Sequence, residues 1–208
     1  MLEAVSTARR AVGLFDAEFS EHAGVVEAAQ RTLRESFAAM LDAWLSTIRR
    51  GGKIMFFGNG GSASDAQHLA TELTIRYSVN RAPVAAVALS TDTSALTAAG
   101  NDLGFEQIFA RQVEALGKPG DLALAISTSG RSPNVIAALT VARAMGITAA
   151  ALGGRDGGEL IGLADPLLIV PSSTTARIQE MHITLGHMLC RALEIELGLV
   201  SWPNPRSG

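Results

Sequence analysis

Apolar positions along the chain fall into two alternating rhythms. Short, nearly unbroken apolar runs occupy 53–58, 84–89, 121–127, 147–152 and 166–170. Runs of four to eight apolar residues bounded by glycine, proline or polar turns read as buried strands. Between them the spacing is helical, over 62–77, 104–116 and 133–146, with a short helix near 159–164 and a long one over 175–198. Ahead of all this, 1–50 reads as two helices, the second from about Val25 to Arg50, with Leu33, Phe37, Met40, Leu41, Trp44, Leu45 and Ile48 recurring at helical spacing. Gly51-Gly52 ends it. Apolar strands alternating with helices predict an α/β fold, a parallel sheet covered on both faces. The organisation expected is a helical segment at 1–50 packed on the same domain, an α/β unit over 51–200, and a tail at 201–208. A helical pair beside a sheet leaves an apolar stripe uncovered, so an oligomer is expected.

Composition narrows the classes. Nearly half of the 208 residues are apolar, enough for a large core, while aromatics are few. The net charge is −3 with no basic block, which disfavours nucleic acid as a direct partner. One cysteine, Cys190, permits no intrachain disulfide and fits a reducing cytoplasm. Glu3, Arg9 and Arg10 interrupt the N-terminus, so no signal peptide is expected. No apolar run approaches the roughly 20 residues of a membrane helix.

Three clusters carry candidate chemistry. The first is Phe57-Gly58-Asn59-Gly60-Gly61-Ser62, a sharp turn after a strand, followed on the next helix by Asp65, His68 and Glu72. Ser62 can cap that helix, and the free amides at its start can hold an anion. His68 and Glu72 are four apart and share a face, suiting a metal or an acid–base pair. A plain tight turn with ordinary surface polarity explains the same residues. The second is Ser127-Thr128-Ser129-Gly130-Arg131-Ser132-Pro133-Asn134, after a strand and before a helix with proline at its first position. Hydroxyls and amides at a strand's carboxyl end suit a phosphoryl group, and a serine-rich cap is the alternative. The third is the last helix. Gln179, Ile183 and His187 form one ridge, while His182 lies about 140° away from His187. Gln179 and His187 stand about 12 Å apart in rise, so sharing one ion requires leaning side chains or a helix bent near Gly186. Cys190 reads as core, His22 as surface, and Asn101-Asp102 after Gly100 as a turn.

Together these motifs resemble the bacterial phosphoheptose isomerases of the sugar-isomerase (SIS) superfamily. The resemblance rests on Gly58 to Ser62 with Asp65, Gln67, His68 and Glu72, on Gly100-Asn101-Asp102, on Ser127 to Ser132, on Asp156-Gly157-Gly158, and on Ile178-Gln179-Glu180 with His182 and His187. It implies a five-stranded parallel sheet in a flavodoxin-like three-layer sandwich, usually a homotetramer with sites at subunit boundaries. It implies conversion of D-sedoheptulose 7-phosphate into D-glycero-D-manno-heptose 7-phosphate through an enediol. By the same resemblance Ser127, Thr128, Ser129 and Ser132 hold phosphate. Asn59, Gly60, Gly61, Ser62, Asn101 and Asp102 line the sugar with Glu72 and Gln179. His68, Glu72, Gln179 and His187 bind zinc, and Glu72 and His187 are the catalytic pair. The chain departs from the family pattern at Arg131, where asparagine is common, at Gly153, where threonine is common, and at Thr174 to Ala176, where an acidic residue is frequent. The last helix is also similar to an SIS adaptor that binds the replication initiator DnaA, which lacks counterparts of Glu72 and His187. A sugar-phosphate-binding regulatory module is a third class.

Overall fold

A computed structural model describes residues 2–201, with side chains from residue 7 onward. The tail expected at 201–208 lies outside them except for Ser201. In chain order the elements are α1 (Leu2–Thr32), α2 (Arg34–Arg49), β1 (Ile54–Gly58), α3 (Gly61–Thr74), β2 (Ala86–Ala88), α4 (Thr93–Asp102), α5 (Ala110–Leu116), β3 (Leu122–Ser127), α6 (Pro133–Ala144), β4 (Thr148–Gly154), β5 (Leu167–Val170) and α7 (Thr175–Glu196). The five strands form one sheet in the order β2-β1-β3-β4-β5, every neighbouring pair parallel. All five expected strands are present.

Alternation along the strands assigns the two layers. Ile54, Phe56, Leu122 and Leu124 face one core with α2, α3 and α7. Met55, Phe57, Ala123 and Ala125 face a second core with α5 and α6. Both faces are covered, which explains why β1 and β3 are apolar at consecutive positions rather than at every second one. Trp44 of α2 meets Phe56 edge to face, ring centroids 5.5 Å apart, both fully buried. Such a pair contributes about 0.5–1.5 kcal/mol beyond its buried area and anchors α2 on the sheet.

Three helical expectations change. The N-terminal break falls at Leu33, not near Val25. Backbone bonds from Leu33 to Ala29 and from Phe37 to Leu33 run through it, so it is a kink without a loop. The stretch 104–116 divides into a 3-10 turn at Phe105–Gln107 and α5. Asn101 and Asp102, expected in a turn, close a ten-residue helix, α4, whose N-terminus Asp92 caps by accepting from the Ala95 amide.

Candidate active site at the strand ends

β1 connects to β2 on one side of it and β3 lies on the other. The carboxyl ends of β1 and β3 therefore flank the topological switch point, where open parallel sheets bind ligands. The loop after β1 and the loop after β3 meet there. Asn59 and Asn134 exchange two hydrogen bonds of 2.8 Å, fixing one loop on the other. Gly60 takes φ +56°, ψ −121°, a backbone state that suits only glycine, and it is the N-cap of α3. Ser62, expected as the cap, is instead buried in the first turn. Gly61 is glycine for another reason: a Cβ there would stand 2.4 Å from the Gln179 side-chain nitrogen.

In the second loop, Ser127 Oγ accepts the Gly130 amide and Ser129 Oγ accepts the Arg131 amide. Both hydroxyl hydrogens are thereby left to donate. Ser132 caps α6 by backbone conformation alone, without using its hydroxyl, and Pro133 starts the helix. Gly130 at φ +65° passes so close to Gly157 that a Cβ would meet the Gly157 carbonyl, and the Glu159 amide donates to the Gly130 carbonyl. Arg131 donates to both carboxylate oxygens of Asp156 at 2.8 and 2.7 Å, and its guanidinium holds Asp156 down at about 2. Asp156-Gly157-Gly158 is thus the strap that closes the outer side of the serine loop.

The third cluster lies further along α3. His68 Nε2 stands 2.9 Å from His187 Nε2 and 3.1 Å from Glu72 Oε1. One donor atom from each of the three residues lies within 4.8 Å of the others. Tetrahedral zinc at 2.0–2.1 Å from its ligands separates them by about 3.4 Å, so the residue types and the spacing both fit such an ion. Burial, then the neighbouring His68, push the His187 imidazole below its ordinary value, which favours the neutral form that ligates metal. The Tyr77 ring packs at 5.5 Å from His187. α3 and α7 reach this spacing because Gly186 leaves a notch for Leu69: a Cβ at 186 would lie 2.6 Å from a Leu69 methyl. α7 is continuous from Thr175 to Glu196, so Gly186 provides an approach and not the break considered from sequence.

The remaining expected residues separate. Gln179, against Gly61, sits seven residues before His68 along α3, about 10 Å of rise. Its amide packs on the glycine turn after β1 in this arrangement rather than on the histidine pair. Asn101 donates to Asp102 at 2.6 Å on an exposed face of α4, and among the described residues neither hydrogen-bonds to the other clusters. His182 is fully buried and pairs with the Gly153 carbonyl at 2.9 Å. Burial holds its pKa at about 4, on the side of α7 away from His187. His22, expected at the surface, joins α1 to α7 through Glu180 at 2.8 Å. Cys190 is buried, and burial raises its thiol. Sequence reasoning overlooked Asn134, Tyr77 and Arg81. Asn134 lies inside the recognised motif, but nothing in the pattern identified its partner.

Comparison with known proteins agrees with this fold. The SIS domain family matches residues 19–154. The phosphoheptose isomerase of Paramagnetospirillum magneticum is 59% identical over 179 residues, 86% of this chain and 93% of that protein. That of Helicobacter pylori is 50% identical over 182 residues, 88% and 95% of the two chains. Solved structures of phosphoheptose isomerases from Neisseria gonorrhoeae and Francisella tularensis have TM-scores of 0.81 and 0.85 at 45% and 35% identity. They cover 86% and 88% of this chain and 96% and 97% of theirs. Fold and sequence together define a sugar-phosphate isomerase of the SIS class. Within that class, the chain belongs to the phosphoheptose isomerase family.

Proposed function

We propose that the enzyme interconverts D-sedoheptulose 7-phosphate and D-glycero-D-manno-heptose 7-phosphate. The observation that carries this is the convergence of His187 from α7 on His68 and Glu72 of α3, the helix that begins at the glycine turn after β1. The serine loop at the neighbouring strand end supports a phosphate subsite. There Ser127 and Ser129 spend their acceptors on loop amides and keep O–H donors for the phosphate, with Thr128 and Ser132 beside them. Asn59, Gly60, Gly61, Ser62, Asn101, Asp102 and Gln179 are assigned to the sugar.

Ketose–aldose conversion moves a proton from C1 to C2 and another from O1 to O2 through an enediol. Glu72 Oε1 faces His68, which leaves Oε2 to take the C1 proton and return it at C2. His187 accepts and donates a proton between the two oxygens. His68, Glu72 and His187 would hold zinc, with Gln179 a fourth ligand by family resemblance alone since its amide here lies against Gly61, and the ion would supply electrostatic stabilisation of negative charge on those oxygens. A DnaA-binding adaptor would need neither Glu72 nor His187. The test is incubation of purified protein with sedoheptulose 7-phosphate, with and without zinc, followed by NMR. Appearance of the aldose signal is expected, and no turnover under either condition refutes the reading.

We assign the oligomer to α1 and α7, as a homotetramer working in the cytoplasm. Val12, Leu14, Phe15 and Phe19 are each about 60% exposed on α1, and Met188 is half exposed on α7. A contiguous apolar stripe of this kind marks a protein contact. No helix among the described residues is long and apolar enough to cross a membrane. A stable monomer at micromolar concentration in mass photometry refutes the assembly.

A further inference from the structure

Beyond the cluster itself, one buried ion pair is joined to it from behind. Arg81 and Glu194 have side chains only 2% and 1% exposed, with Nε 2.6 Å from Oε1. Arg81 lies between α3 and β2, in a segment without regular structure. Its Nη2 donates to the Glu72 carbonyl at 2.7 Å, and its Nη1 to the carbonyls of Leu73 at 2.8 Å and Ala82 at 3.1 Å. The last four carbonyls of a helix have no partner within it. Here one guanidinium serves two of them, and one of the two residues is Glu72. On the other side, Glu194 stands seven residues after His187 on α7, so the two share a face. Glu194 Oε1 also accepts the Tyr77 amide at 3.3 Å, and the Tyr77 ring packs on His187.

We propose that Arg81 and Glu194 are positioning residues, which fix the C-terminal turn of α3 against α7 and thereby set the spacing of Glu72, His68 and His187. The inference rests on the metal and acid–base reading given above. A buried ion pair is weak support for stability, since well-packed apolar residues often replace one without loss. What apolar residues cannot supply is the planar fork that holds two successive carbonyls and a carboxylate at once. The position of the fork, on the backbone of Glu72 itself, gives the pair its role. The serine loop lies at the opposite end of α3 and is untouched by it.

The test compares the parent with Arg81→Lys, which keeps the charge and loses the fork. Zinc affinity is measured by chelator competition, turnover by NMR, and metal-free backbone opening by hydrogen exchange. The variant is expected to keep the parent's circular dichroism and assembly. Its zinc affinity and kcat should fall about 10–100-fold, as for partners that orient metal ligands, with KM for the sugar phosphate within threefold. Exchange of the Thr74 and Ile75 amides should quicken without metal. If Arg81→Lys does not fold, the double variant Arg81→Met/Glu194→Met removes both charges together and should show the same losses. A folded variant with zinc affinity and kcat within twofold of the parent overturns the proposal, as does failure of both variants to fold. A parent that neither binds zinc nor turns over overturns the reading it rests on instead.

Discussion

Replacing Gly186 by alanine tests how α3 and α7 build the site. The added methyl would lie 2.6 and 2.7 Å from the two terminal carbons of Leu69. Carbon atoms in contact stand about 3.5–4.0 Å apart, so about 1 Å must be found. Leu69 is fully buried, so turning its side chain aside would have to displace neighbouring core residues. The helices must therefore part. Overpacking of this size costs roughly 1–3 kcal/mol, and alanine recovers about 1 kcal/mol over glycine within a helix. The net loss of stability is small, about 0–2 kcal/mol. The site fares worse, because His68 precedes Leu69 and His187 follows Gly186. Most of the displacement passes to the 2.9 Å separation of the two imidazoles. A 1 Å misplacement at reacting groups can cost about 10²-fold in rate. The expected result is a melting temperature within a few degrees of the parent, with turnover and zinc affinity each reduced by an order of magnitude or more. Leu69→Val on the same background should recover part of the loss. Parent-like turnover with unchanged zinc affinity would show that the notch at Gly186 does not set the spacing.

Three further outcomes are expected. Glu72→Gln should fold and bind sugar phosphate but lose at least about a hundredfold in kcat; near-normal NMR turnover removes Glu72 as the base. Ser129→Ala with Ser132→Ala should weaken sugar-phosphate binding by roughly 0.5–1.5 kcal/mol per hydroxyl, read by calorimetry, and unchanged affinity would displace the phosphate from the serine loop. Buried His182, with a pKa of about 4 against 6.5 for a free imidazole, binds fewer protons folded than unfolded between those values. Stability from this residue is complete above pH 6.5 and is lost as pH falls towards 4, by up to about 3 kcal/mol. Urea unfolding at pH 7 and 4.5 measures the loss, and His182→Gln should flatten it.

The sheet could be read from sequence because covering both faces forces consecutive apolar positions, and few other structures need runs such as Ile54 to Phe57. α4 could not. Thr93 to Asp102 is small and polar, with one leucine and a Gly-Asn-Asp ending that reads as a turn, yet Asp92 caps it and Ala99 buries it. The kink at Leu33 contains neither glycine nor proline and leaves the helical period intact. For the site, His68 with Glu72 was legible because helix geometry alone makes them neighbours. Their meeting with His187 was legible only through family resemblance, since it depends on how closely two helices pack. The sequence does contain the cause, a glycine beside the histidine, but periodicity cannot distinguish a notch from a bend. Arg81 lies in a stretch without rhythm, and its five donors acquire meaning only once α3 ends beside it.

His68, Glu72 and His187 all come from one polypeptide. On the proposed mechanism each subunit of an assembly would carry its own proton-transfer set, and a defective copy would not poison its neighbours through that set. When parent chains are unfolded and reassembled with Glu72→Gln chains, specific activity should be directly proportional to the fraction of parent chains, giving a straight line through the origin. A heterozygous population would behave as a simple dilution. Curvature below that line would mean that subunits share the acid–base residues after all.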